Sequence, residues 1–163
     1  MRPSISKSIF LAIFALLAVG CGPLGDDKTT HESVVDLGSF TSYVAEFQQK
    51  SAEYGSPVEI SDLVIKFGAM TNPLERGYCE MAPGKTPTVV IDQNYWNNAS
   101  EGARKSLLLH ELGHCVLDRA HVTALTNAGV PNSVMNPYTI PSNVFEYNEE
   151  HYWQELFSVR NTL

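Results

Sequence analysis

A chain of 163 residues has room for one domain of ordinary size, and neither an internal repeat nor a second hydrophobic core is visible in it. It carries 11 basic against 18 acidic residues, a formal charge of −7, which argues against nucleic-acid binding and against attachment to anionic lipid by surface charge. Three cysteines and five histidines are few enough to be weighed one at a time.

The N-terminus, "MRPSISKSIFLAIFALLAVGCGPLG", places Arg2 and Lys7 before an uncharged apolar run from Ile9 to Val19. That run is too short for a permanent membrane-spanning helix, and its flanks read as a secretory signal. "LAVGC" resembles a bacterial lipobox, with Ala18 where leucine is commoner. The resemblance implies that residues 1–20 are a lipoprotein signal peptide, that Cys21 is the lipidated residue, and that the mature chain is anchored in the bacterial cell envelope. The other reading is an ordinary signal peptide cut near Ala18 or Gly20; either way the mature chain leaves the cytoplasm. Losing Arg2 and Lys7 takes its charge from −7 to −9. Residues 21–36 read as a polar tether, built around "GPLGDDKTTHE", and His31 within it has no expected role. With Cys21 assigned to the anchor, Cys79 and Cys115 remain. An even remainder in an oxidising compartment suggests a disulfide, the alternative being two buried thiols.

Residues 37–163 read as the folded domain. Between Ser39 and Tyr54, Phe40, Tyr43, Val44 and Phe47 recur at helical spacing, and Gly55 with Pro57 ends the segment. "DLVIKFG" reads as a strand, "GYCEM" as a short strand and "TPTVVIDQNYW" as a stronger one, separated by the turn signals "TNPLERG" and "APGKTP". A small sheet is implied. "NNASEGARKSLLLHELGHCVL" predicts a helix with Asn98 or Ser100 as N-cap, and "NVFEYNEEHYWQELFSV" predicts a closing helix with Phe145, Tyr152, Trp153, Leu156 and Phe157 as its apolar stripe. His151 on that last helix reads as structural.

The chemistry lies in "HELGH". His110 and His114 are one turn apart on a helix and project from the same face, so both imidazoles can reach one cation. Glu111 is rotated by about 100° from His110, placing it beside such an ion without making it a ligand. Neutral imidazole nitrogens suit Zn2+, and a site with three protein ligands keeps one position open for chemistry. The third ligand is not fixed by this motif. His121 follows seven residues after His114, Asp118 offers an oxygen at the helix end, and Glu146, Glu149 and Glu150 lie in the later helical segment.

"HELGHCVLDRAH" followed by "SVMNPY" resembles the metzincin group of zinc peptidases, whose pattern is HExxHxxGxxH and then a methionine-containing turn. Leu117 stands where that pattern has glycine and Ala120 where it has the third histidine, yet "DRAH" has the spacing of "GxxH" moved along by one residue. Asp tolerates the left-handed conformation better than most side chains, so Asp118 is expected to turn the chain after a slightly longer helix and deliver His121.

The resemblance implies an α+β, single metzincin-like (zincin) domain with a small twisted sheet, an active-site helix, a Met-turn at Met135 and a C-terminal helix. It implies a metal set of His110, His114 and His121, Glu111 as general base, Tyr138 as a group that reaches the metal or an oxyanion, and peptide or protein as substrate. A glutamate completes the site in the thermolysin-like group, and the Met-turn argues against that alternative. A non-catalytic, zinc-binding envelope lipoprotein is the second class of function. A monomer is expected.

Overall fold

A computed structural model describes residues 34–158 of the chain. The signal segment, Cys21 and most of the tether, including His31, lie outside the described residues. The domain is α+β, a small mixed four-stranded sheet with five helices. In chain order these are β1 (Val35–Asp36), a 3-10 turn (Gly38–Phe40), α1 (Thr41–Glu53), β2 (Leu63–Gly68), β3 (Gly77–Glu80), β4 (Thr88–Asp92), α2 (Gln93–Asn98), α3 (Glu101–Cys115), α4 (Ser142–Tyr147) and α5 (Glu149–Ser158). The strand order is β1-β2-β4-β3; β1, β2 and β4 run parallel, and β3 lies antiparallel on the edge beside β4.

Alternation sets the sheet's buried side. Leu63, Ile65, Val89 and Ile91 are all at most 3 % exposed, and the register pairs Ile65 with Val89 and Phe67 with Ile91, so the apolar rows of β2 and β4 fall side by side. Against them pack Phe40, Val44 and Phe47 from the first helical segment, Leu108, Leu109 and Leu112 from α3, and Trp153, Leu156 and Phe157 from α5. One continuous core results, and α3, which carries His110 and His114, runs through it.

Three expectations need correction. The segment "TPTVVIDQNYW" is not one strand: the Asp92 carboxylate accepts from the backbone N–H of Asn94 and Tyr95, capping a helix that begins at Gln93. The closing helix is two helices. Asn148 breaks it, with its side-chain amide donating to the Val144 carbonyl at 2.7 Å and its N–H shared between Val144 and Phe145. Finally, residues 35–36, expected to belong to the tether, pair with Leu63 and Val64 as a short edge strand. The first helix and α3 lie where the sequence placed them, and Ser100 rather than Asn98 caps α3, its hydroxyl accepting from the Ala103 N–H.

Cys79 on β3 and Cys115 at the end of α3 form a disulfide with Cα atoms 5.6 Å apart, so the edge strand is covalently tied to the residue next to His114.

Candidate metal centre

Helix α3 sends His110 and His114 out from one face, and the chain that follows must double back to add a third ring. Asp118 makes that reversal. Its φ is +53°, and it is the one non-glycine with positive φ among the described residues. Its N–H donates to the His114 carbonyl at 3.1 Å, the single bond of an αL helix cap, and the next N–H, of Arg119, reaches the Gly113 carbonyl at 3.0 Å. The chain thus leaves the helix at Asp118, and His121 comes back over the histidine face. Asp118 turns the chain and is not part of the histidine group.

The three Nε2 atoms form a nearly equilateral triangle: 3.1 Å from His114 to His110, 3.1 Å from His114 to His121 and 3.2 Å from His121 to His110. The hydrogen bonds behind the rings decide what this means. His110 Nδ1 donates to the Val134 carbonyl at 2.9 Å, and His114 Nδ1 donates to the Arg119 carbonyl at 2.6 Å. A carbonyl only accepts, so each Nδ1 carries the proton and, in a neutral ring, each Nε2 carries a lone pair. Both rings favour the neutral form. Burial pulls His110 down to about 4, with the neighbouring His114 and His121 adding to the effect, and burial lowers His114 as well. Lone pairs aimed at one point repel unless a proton or a cation lies between them. The triangle's centre is about 1.8 Å from each nitrogen, close to the ordinary Zn–N distance of about 2.0–2.1 Å. The residues therefore fit a metal ion, and these three histidines could hold one. Among the described residues no fourth His, Cys, Asp or Glu joins them.

Glu111 is 4 % exposed and no hydrogen bond reaches its carboxylate from the described residues. Burial, with a contribution from nearby Glu75, pushes it up to about 8; a cation on the adjacent histidines would draw it back down. One of its oxygens lies 3.1 Å from where a side chain on Gly77 would begin, which places the carboxylate against the start of β3.

Met135 is fully buried. Its N–H donates to the Ser133 hydroxyl, and its carbonyl accepts from Val122, the residue after His121. Its sulfur faces Gly113, where an added Cβ would stand 2.2 Å away. Gly113 is thus a residue the sequence reading passed over: a glycine inside an otherwise good helix costs about 1 kcal/mol, a signal that something approaches its backbone closely.

The glutamates offered as alternative ligands are engaged elsewhere. Glu146 accepts from Ser142, Glu149 pairs with Lys105, and Glu150 accepts from Tyr54. His151 Nε2 meets the Asn132 carbonyl, and the residue is not part of the histidine group. Tyr138 is 80 % exposed, and its backbone N–H is held by Asn136 Oδ1; no hydrogen bond joins its hydroxyl to the histidines. Compared with models of known families, with curated proteins and with solved structures, the chain gives no match.

Proposed function

We propose that this chain is a zinc-dependent peptidase built on the metzincin plan. The observation that carries the reading is the convergence of three imidazole lone pairs on one point, with a buried glutamate next in sequence to one of them and no fourth protein ligand among the described residues. A structural zinc site closes with four protein ligands and has no use for a desolvated carboxylate beside it.

In this reading His110, His114 and His121 hold the ion. Zinc held there supplies a Lewis acid that polarises a carbonyl and acidifies water. Glu111 takes the proton from the attacking water and passes it to the leaving amine, a task suited to a carboxylate next to His110 on the same helix. Met135 supports the rings from below, and Tyr138 is the group nearest in sequence that can swing towards an oxyanion. The disulfide accords with an exported protein, and "LAVGC" supports a lipid anchor at Cys21 in the cell envelope. Cys21→Ala should then free the protein from the membrane fraction; continued co-sedimentation with membranes would refute the anchor.

Metal content and hydrolysis of a mixed peptide library, measured together on wild type and Glu111→Gln, test the function. The expected result is one zinc per chain in both proteins and hydrolysis by wild type alone. Zinc in both with turnover in neither would favour a binding lipoprotein, and no zinc in either would remove the metal centre.

A further inference from the structure

Behind the three imidazoles lies a largely buried ion pair, Arg119 Nη2 to Glu155 Oε1 at 2.5 Å, with side chains only 11 % and 17 % exposed. Arg119 Nη1 also donates to the Glu155 and Leu156 carbonyls near the end of α5, both at 3.2 Å. The second oxygen of Glu155 accepts from the Ser133 hydroxyl at 2.7 Å, and the Ser133 Oγ accepts from the Met135 N–H at 3.0 Å. Each end of this network borders a carbonyl that orients a histidine. Arg119 itself supplies the oxygen held by His114 Nδ1, and Val134, between Ser133 and Met135, supplies the oxygen held by His110 Nδ1.

We propose that Glu155 is a positioning residue for the metal centre, one carboxylate that fixes both carbonyls against which His110 and His114 are aimed. This rests on the metal-centre reading above. The choice of residue follows from its chemistry: a carboxylate accepts on two oxygens at once, so two loops arriving from different parts of the chain can share it. Glutamine keeps the reach but replaces one acceptor with a donor, which faces either the guanidinium or the hydroxyl. Arg119 extends the hold to the third ring, because it lies between the Asp118 turn and His121. Without the clamp, each carbonyl drifts with its loop, the rings turn about their Nδ1 bonds, and the Nε2 atoms no longer converge.

Outer-shell groups of this kind change metal affinity about 10–100-fold when removed. The test is zinc affinity of the full chain by competition with a chromophoric chelator, together with the visible spectrum of the cobalt(II)-loaded protein, which reports ligand geometry. Glu155→Ala should weaken zinc by about 10–100-fold and alter the cobalt spectrum, with Glu155→Gln and Ser133→Ala in between. Lys105→Ala is the control. It breaks a more exposed ion pair that runs from the histidine helix to Glu46 and Glu149, and should lower stability while leaving zinc affinity within about twofold. If Glu155→Ala does not fold, Glu155→Gln and Ser133→Ala decide. Zinc affinities within about threefold of wild type in those two, with unchanged cobalt spectra, would overturn the proposal. A wild type that binds no zinc would instead defeat the underlying metal reading.

Discussion

Gly113→Ala tests whether the contact between α3 and Met135 is as close-packed as the geometry indicates. On an open helix face this change is favourable by about 1 kcal/mol, because alanine loses less backbone freedom than glycine. Here the new methyl would stand 2.2 Å from the Met135 sulfur, 3.0 Å from its terminal methyl and 3.5 Å from Leu156 Cδ1. Carbon and sulfur need more than about 3.5 Å, so the methionine must retreat by over ~1 Å within a site that is fully buried. Overpacking of this kind costs about 1–3 kcal/mol, which exceeds the helix gain at all but its lower limit. The expected net loss is about 1 kcal/mol, or roughly 3–5 °C in Tm for a domain of this size. Zinc affinity should fall too, since the displaced methionine carries the Val122 bond that seats His121. Met135→Ala alone opens a cavity and costs about 2–5 kcal/mol. The double variant should lose less than the sum of the two, with a coupling of about 1 kcal/mol or more, because the new methyl enters the space that the methionine leaves. Chemical unfolding of the metal-free chain gives all four corners of the cycle. A Gly113→Ala protein stabilised by about 1 kcal/mol with unaltered zinc affinity would refute the packing argument.

Glu111→Gln should stabilise the metal-free chain in a pH-dependent way. The folded pKa is raised from 4.5 to about 8, so the carboxyl's contribution is fully present below 4.5 and is lost as pH rises towards 8. Glutamine does not titrate, so the variant should exceed wild type by on the order of a few kcal/mol at pH 9 and match it near pH 4.5; an equal difference at both pH values would show that burial of the charge is not the cause. His121→Ala should lose both zinc and activity by elemental analysis and assay. Asp118→Asn should keep both while Asp118→Val loses stability, because a β-branched residue resists φ of +53°; a fully loaded His121→Ala would remove it from the ligand set. Thiol labelling of the denatured, unreduced protein should find neither Cys79 nor Cys115 free, and Cys79→Ser should cost about 4 kcal/mol from the closed loop, given the sequence separation of 36. Two labelled thiols there would end the disulfide.

What the sequence shows about this domain is mostly what local geometry decides. The pairing of His110 with His114 is a consequence of helical period alone, and Asp118 was legible because few side chains tolerate a left-handed turn. The even cysteine remainder pointed to the bridge that the structure contains. The breaks at Asp92 and Asn148 escaped because each depends on a side chain competing for backbone hydrogen bonds, which leaves the apolar pattern unchanged on both sides. Residues 35–36 were lost for a different reason. A two-residue edge strand has no period of its own, and only the neighbouring β2 makes it one. The network of Arg119, Ser133 and Glu155 is the deepest case: its members lie 14 and 22 residues apart in turn, on two loops and a helix that meet only once the core is assembled.

The covalent tie between Cys79 and Cys115 also changes what a broken chain would look like. The bridge encloses β4, α2 and α3 in a ring, and the turn at residues 81–85, exposed throughout, lies inside it. A single cut in that turn opens the backbone without releasing either piece, because the bridge still joins the half that ends before the cut to the helix that carries His110, Glu111 and His114. Such nicked protein should run at full size on a non-reducing gel and as two fragments after reduction. Whatever protease makes the cut, the accessible turn sits where cleavage leaves the histidine helix attached to its sheet.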